Sequence, residues 1–274
     1  VALYDQHMHT WFSTDSQTDP ADNVRQAIDL GLAGITFTDH LDTHPIEWPE
    51  CRYNYEGLAK AVSDLRQRFG DRISIGLGIE VCYQPEQMDR ILPFLDEHAF
   101  DLVILSVHWT QNRALHLPEH WTDWDIATIT QAYLGTVLEA VHFVRDLAGQ
   151  GRRPFDVLGH LDMVKRYTQR YRGGYDITGY ADRIDEILRT CLDAGLVPEV
   201  NTSTLRQGLT ETMPAGWIVR RYAELGGEAM SLGSDAHSPE HIAAGFETAA
   251  SMLKENGIKQ LAVFEQRVCK PCGL

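Results

Sequence analysis

His7 and His9 begin a series of possible metal donors that continues through Asp15, His40, Glu80, His108, His160, Asp235 and His237. Imidazole nitrogen and carboxylate oxygen, without thiolate, suit Zn, Fe or Mn, and donor type alone does not choose among them. One HxH pair is weak evidence, because two histidines one residue apart on a strand usually serve packing or surface roles. The weight lies in repetition: each of these nine residues falls at or just past the end of a run with strand character. The pattern describes a cage for several divalent ions.

Stepping along the chain, the strand-length apolar runs are 3–6, 34–38, 73–79, 102–107, 155–159, 197–200 and 230–233, most of them flanked by glycine or charge. Helical stripes lie between them. Asp19-Pro20 caps one in which Val24, Ala27 and Ile28 recur; Leu58, Ala61, Val62, Leu65 and Phe69 form another before Gly70. Tyr180, Ile184, Ile187, Leu188 and Cys191 precede Gly195, Ile218, Val219 and Tyr222 precede Gly226, and Ala249, Met252 and Leu253 precede Gly257. Strand, loop and helix therefore alternate, which calls for parallel pairing with right-handed crossovers. A closed barrel collects the C-terminal ends of all its strands on one face, whereas an open doubly wound sheet serves its site from a few strand ends. The dispersed donors favour closure, and neither a GxGxxG fingerprint nor a Walker sequence supports the open sheet.

At 274 residues with 43% hydrophobic content, the chain fits one α/β-barrel domain over 1–274. Two long connections, 41–56 with Trp48, Cys51, Arg52, Tyr53 and Tyr55, and 109–125 with His116, His120, Trp121 and Trp124, emerge on the donor face and are expected to cap the site. No apolar run approaches the roughly 20 residues of a membrane span, and no leader pattern opens the sequence, so a cytoplasmic location is expected. The formal net charge is −15, with no Lys/Arg stripe to track a phosphate backbone, which argues against nucleic acid as a partner. Three divalent ions beside Asp15, Glu80 and Asp235 would still give the site a local charge of about +3, so an anionic substrate is compatible. The cysteines at 51, 82, 191, 269 and 272 do not form a disulfide framework, and the Cys269/Cys272 pair reads as two thiols in a tail. Oligomeric state is not legible, because apolar helix faces serve barrel packing and subunit contact alike.

Taken together, HMHTWFSTDS at 7–16, TDH at 38–40, GIE at 78–80, SVH at 106–108, GHLD at 159–162 and GSDAH at 233–237 resemble the polymerase-and-histidinol-phosphatase (PHP) superfamily. EVCYQPEQ at 80–87, GHLDMVKRY at 159–167 and EVNTSTLRQG at 199–208 are similar to its monofunctional histidinol-phosphate phosphatases. The resemblance covers nearly the whole chain. It implies a distorted (β/α)7 barrel with a trinuclear metal centre. In that pattern His7, His9, Glu80 and Asp235 hold one ion, the bridging Glu80 with His108 and His160 a second, and Asp15, His40 and His237 a third. Some relatives carry histidine where this chain has Asp15, a harder oxygen donor.

Asp39 and Asp162 are candidates to orient the neighbouring ligands His40 and His160. Arg166 and Arg206 follow the fifth and sixth strands, and guanidinium forks match phosphate oxygens; in the resembling phosphatases these positions clamp the phosphate. His44, His98, His116, His120, His142 and His241 lie in loops or helices and read as ordinary residues. The resemblance implies hydrolysis of L-histidinol phosphate in histidine biosynthesis, and two close ions bridged by Glu80 would generate hydroxide from water for that reaction. Asp235, His237 or a metal-bound water would protonate the leaving alkoxide, and Glu47, Glu50 and Glu56 are candidate partners for an ammonium or imidazolium. Two alternatives stand beside it: another small phosphate ester, nucleotide or 3′ terminus as substrate, and a non-catalytic regulatory metal-binding domain.

Overall fold

The computed structural model describes residues 2–47 and 53–274. The expectations attached to Trp48, Glu50, Cys51 and Arg52 lie outside the described residues. Seven parallel strands form the barrel wall: β1 (Tyr4–Asp5), β2 (Gly34–Phe37), β3 (Ser74–Cys82), β4 (Leu102–Ser106), β5 (Val157–Leu158), β6 (Val197–Asn201) and β7 (Ala229–Gly233). They pair in chain order, with Tyr4 opposite Gly34, Gly34 opposite Ser74, Gly78 opposite Leu102, Ile104 opposite Val157, Val157 opposite Val197 and Ser231 opposite Glu199. All residues of β2, β4 and β5 are buried, as expected of strands covered by helices on one face and by the barrel interior on the other.

Closure lies just beyond the short β1 ladder. Gln6 N donates to Leu232 O at 3.0 Å, Asp235 N to His7 O at 2.7 Å and His9 N to Ala236 O at 2.8 Å, with Met8 bridged in parallel to Ala236. The first and last wall strands therefore meet, and the expected distorted (β/α)7 barrel is the architecture of the chain. Lower down the same seam, β8 (Gln260–Glu265) pairs with the start of β7, and β9 (Val268–Gly273) pairs antiparallel to β8. The Gln6 side chain fills the gap there: its amide donates to Ala262 O at 2.6 Å and accepts from Phe264 N at 2.8 Å.

Three features differ from the sequence expectation. Strand β3 continues past Ile79 because its second half finds a new partner, the two-residue strand His40–Leu41, with His40 opposite Glu80. Glu80 thus sits within a strand, held by pairing on both sides. The β8–β9 hairpin was signalled by no Gly or Asn, because its turn residues Gln266 and Arg267 adopt φ of +50° and +65°. Tertiary bonds support that strained turn: Gln266 N donates to Asp101 Oδ1 at 3.0 Å, and Arg267 Nε to Asp156 Oδ2 at 2.5 Å. The Cys269/Cys272 pair consequently lies on a strand, three residues apart, where period-2 alternation sends the two side chains to opposite faces.

The helices α1 (Pro20–Asp29), α2 (Tyr55–Phe69), α3 (Met88–Glu97), α4 (Ile126–Gly149), α5 (Val164–Arg172), α6 (Ala181–Ala194), α7 (Gly216–Glu224) and α8 (Phe246–Glu255) cover the wall. Asp19 caps α1 by accepting from Ala21 N at 2.8 Å, with Pro20 at the first helical position. In α2 the residues Leu58, Val62, Leu65 and Phe69 face the core. Among the described residues, no helix is long and apolar enough to cross a membrane.

Candidate metal centre

His7 and His9 alternate with Met8 on the extended segment after β1, so the two imidazoles face the barrel mouth while Met8 enters the core. The structure brings all nine sequence-predicted donors together. Glu80 is the hub. Its Oε2 lies 3.3 Å from His7 Nε2, 3.6 Å from His9 Nε2 and 3.0 Å from His40 Nδ1; its Oε1 lies 3.2 Å from His108 Nε2 and 2.8 Å from His160 Nε2. Asp235 Oδ1 stands 3.3 Å from His9 Nε2 and 3.5 Å from His237 Nδ1, and Asp15 Oδ2 stands 2.9 Å from His237 Nε2 and 3.3 Å from His40 Nε2. Two donor sites come from residues with unusual backbone: His160 has φ of +21° and Asp235 +54°. Such conformations cost about 1–3 kcal/mol each and persist only where the surroundings enforce them.

These side chains fit cations. Donors about 2.05 Å from a tetrahedral ion are separated by roughly 3.3 Å, the spacing found repeatedly here. Among the described residues, His7 Nε2, His9 Nε2, His40 Nδ1 and Glu80 Oε2 are buried atoms with no hydrogen-bond partner, although they lie close to one another. Inward-facing lone pairs without protein donors are what a bound cation satisfies. The atoms fall into overlapping sets: His9, Asp15, His40 and His237; His7, His9 and Asp235; His7, Glu80 and His160; His40, Glu80 and His108.

Neighbouring groups set the tautomers. Carboxylates and carbonyls only accept hydrogen bonds, so an outer ring nitrogen that faces one away from the cluster carries a proton. Glu199 Oε1 accepts from His7 Nδ1 at 2.6 Å, Asp42 Oδ1 from His108 Nδ1 at 3.1 Å and the Asp235 carbonyl from His237 Nδ1 at 3.0 Å. With a cation bound in place of protons, each of these rings would present its Nε2 lone pair to the cluster. Glu199, completely buried, also accepts from His160 N at 2.9 Å through Oε2, so one side chain positions donors from two strands. Gly233 leaves room for this: a Cβ there would meet both Glu199 Oε1 and the His7 Cβ at 2.4 Å.

The expected orienting roles of Asp39 and Asp162 are corrected. Asp39 accepts from Thr10 N at 2.7 Å and from Ser13 Oγ at 2.7 Å, and Ser13 Oγ in turn lies 3.4 Å from His9 Nδ1 and receives the His40 backbone N–H at 3.0 Å. It holds the loop after His9 and does not meet the His40 ring. Asp162 is a buried partner of Lys165 at 2.8 Å and accepts from Ala215 N at 3.1 Å. Glu199 and Asp42, which take the orienting work, gave no local signal: one lies within a strand, the other two residues past His40, and neither spacing implies a contact.

Burial opposes charge on Glu80 and Asp235, yet the surrounding imidazoles outweigh it and hold both carboxyls well below their usual range. Burial likewise opposes charge on His7, but Glu199 and Glu80 raise it well above the ordinary histidine value. His9, deeply buried and repelled by His237 and His40, falls to about 3. Protons thus stand in for cations on some imidazoles while others remain neutral.

A cavity of about 340 Å³ opens above the cluster, lined in part by Glu47, His116, Arg166, Tyr167 and Arg170. A larger one of about 660 Å³ beside α4 contains none of the nine donors and is not the chemical site. Arg166 reaches the mouth with Nη1 3.8 Å from Asp235 Oδ2. Arg206 is differently placed from the expected clamp: it donates through Nη1 to Ser234 O at 2.6 Å and through Nη2 to Asp235 O at 2.5 Å, bracing the loop that carries Asp235. His116, read from sequence as ordinary, lines the cavity instead, as do Arg170 and Glu47. Glu56, on the exposed first turn of α2, does not.

A barrel whose strand ends converge on a histidine and carboxylate cage defines a scaffold for a multinuclear metal centre. Residues 5–203 match the PHP domain, and the chain belongs to that family. It is 28% identical to a protein named "Probable histidinol-phosphatase" from Clostridium acetobutylicum, over 98% of this chain and 99% of that one. It is also 28% identical to the histidinol-phosphatase of Lactococcus lactis, covering 95% of this chain and 93% of the relative. The crystal structure of histidinol phosphate phosphatase from Lactococcus lactis, complexed with zinc, L-histidinol and phosphate, superposes with a TM-score of 0.83 at 26% identity, covering 97% of this chain and 98% of that one.

Proposed function

We propose that this chain is a metal-dependent phosphomonoesterase that hydrolyses L-histidinol phosphate to L-histidinol and phosphate, as a cytoplasmic enzyme of histidine biosynthesis. The observation that carries the reading is a single buried carboxylate, Glu80, with five imidazoles within 3.6 Å. Similarity to the relatives named above supplies the substrate.

His7, His9, Glu80 and Asp235, then Glu80, His108 and His160, then Asp15, His40 and His237 would hold divalent ions of the Zn, Fe or Mn type. Bound there, such ions supply Lewis acidity and lower the pKa of coordinated water. The protein's own residues do the rest. Arg166 at the cavity wall holds phosphoryl oxygens, and Arg206 keeps Asp235 in place through the backbone carbonyls it braces. Asp235 and His237, at the cavity side of the cluster, are placed to manage the proton that the departing alkoxide requires. Asp42 and Glu47 of the first long connection and Leu115 and His116 of the second line the cavity.

The test is phosphate release from L-histidinol phosphate by protein loaded with Zn or Mn. E80A and H108A should each lower kcat/KM by at least about 100-fold with an unchanged far-UV spectrum. Poor turnover of this ester beside rapid hydrolysis of mononucleotides transfers the scaffold to another substrate, and activity indifferent to both substitutions removes the catalytic reading.

A further inference from the structure

Arg166 and Arg170 line two cavities. One is the space above the metal centre; the other, of about 420 Å³, contains none of the nine donors and is completed by Gln169, Gln207, Gly208 and Leu209. Gly208 follows the short helical turn Ser203–Gln207 beyond β6, so this second space lies between α5 and the loop after the next strand. Among the described residues, no carboxylate lines it. In a chain of formal net charge −15 that is an exception. The charged and amide side chains of its walls are guanidinium and carboxamide groups, all able to donate N–H bonds.

The two arginines are held in place without being neutralised. They stand one turn apart on α5, where like charges repel. The Arg166 guanidinium lies over the Tyr167 ring at 5.2 Å and that of Arg170 over the Tyr171 ring at 5.6 Å, and the two rings stack with centroids 5.9 Å apart. Tyr171 is tied down in turn by donating to His116 O at 2.8 Å. An aromatic face supports a guanidinium and leaves its N–H edge free. Arg172, by contrast, donates to Trp124 O at 3.0 Å. Among the described residues, no carboxylate pairs with Arg170, and the Asp235 oxygen 3.8 Å from Arg166 belongs to a candidate metal donor. A pre-positioned pair of forks that repel each other is completed by an anion that bridges them.

We propose that Arg170, with Gln169, Gln207 and the outer edge of Arg166, forms a second oxyanion subsite outside the metal cavity, which receives inorganic phosphate as it leaves the metals. The binding follows from the second cavity itself; its use as a way out rests on the phosphomonoesterase reading. A departing phosphate dianion leaves a strongly cationic cage for the field of an acidic protein, and a cationic station between the two eases that passage. Arg166 faces both spaces and hands the anion across.

The experiment is equilibrium dialysis of the Zn-loaded full chain against radiolabelled inorganic phosphate, beside R170Q and Q207E. Both positions are exposed, so neither substitution disturbs the core. The parent should bind two phosphates, and each variant should keep the tighter one while the weaker one loses about tenfold or more in affinity. In steady-state assays phosphate should lower the apparent kcat of the parent as well as raise its KM, and Q207E should lose the effect on kcat alone. A single phosphate in the parent, two that persist unchanged in both variants, or an inhibition pattern that Q207E does not alter overturns the proposal. Inhibition by excess ester without any effect of phosphate on kcat gives the subsite to substrate and overturns it equally. A chain that loses the weaker phosphate in Q207E yet releases none from L-histidinol phosphate keeps the subsite and defeats the substrate assignment, so the two failures are distinguishable.

Discussion

Glu199→Gln isolates the role of the buried carboxylate beneath the metal cage. In the parent, Oε1 receives the His7 ring N–H at 2.6 Å and Oε2 receives the His160 backbone N–H at 2.9 Å. Glutamine keeps the length but offers one acceptor and one NH2 group. If its oxygen stays with His7, the NH2 group faces the His160 N–H and two donors collide; the reverse arrangement releases the His7 tautomer. Leaving one buried donor unsatisfied costs about 1–3 kcal/mol. Loss of an orienting partner typically weakens metal affinity about 10–100-fold, which is about 1.4–2.7 kcal/mol, so the two routes agree. The assay is titration of apoprotein with Zn or Mn against a competing chelator, with far-UV circular dichroism to confirm the fold. Affinity should fall by that factor while the spectrum is retained. An E199Q protein that is folded and binds metal within twofold of the parent refutes the assignment of Glu199 as a positioning residue.

Removing metal with a chelator should lower Tm by about 5–10 °C, since an ion present at 100 times its Kd adds about 2.7 kcal/mol to stability, and differential scanning calorimetry before and after restoring Zn or Mn checks this. Gly233→Ala places a methyl against both Glu199 and His7; it should cost about 1–3 kcal/mol in urea unfolding and reduce bound metal measured by atomic emission. Arg206→Ala frees the Ser234 and Asp235 carbonyls and should reduce metal content as well as raise KM, whereas Arg166→Ala should raise KM with metal content unchanged. The Asp185–Arg221 ion pair joins α6 to α7, and the hydrogen bond from Arg221 holds the Asp185 carboxyl below its ordinary 3.8. A depressed folded-state value gives stability that is complete above 3.8 and fades as pH falls through the lowered value. With Arg221 partly solvent-exposed, D185N should cost only about 1 kcal/mol at pH 7, and chemical unfolding at pH 7 and near pH 2.5 should show the difference shrinking.

The donors were legible in the sequence because parallel strands leave a simple signature, an apolar run ending in His, Asp or Glu, and because the ring geometry makes those ends neighbours. His7, Glu80, His160 and Asp235 could be read that way. Glu199 could not: it sits one strand from His160 and 192 residues from His7, and only the ring brings it beneath both. Asp39 misled for the complementary reason, since adjacency to His40 in an extended segment turns the two side chains to opposite faces. The β8–β9 hairpin hid because ordinary residues occupy left-handed turn positions and long-range hydrogen bonds keep them there. Glu47 and His116 belong to connections whose paths depend on tertiary contact, so their arrival at one cavity had no periodic pattern to announce it.

The wall of this barrel is continuous except where its two ends are brought together, and the donors His7 and His9 stand on one side of that join while Asp235 stands on the other. An ion gripping all three would act as a clasp, fastening the beginning of the chain to a segment more than 220 residues away. The ion that would lend its Lewis acidity to the reaction and the fastener that keeps the cylinder shut would then be the same. Protein emptied of that ion should loosen first along this line, with backbone amides of residues 6–9 and 232–236 exchanging with deuterium ahead of those in β4, on the far side of the ring.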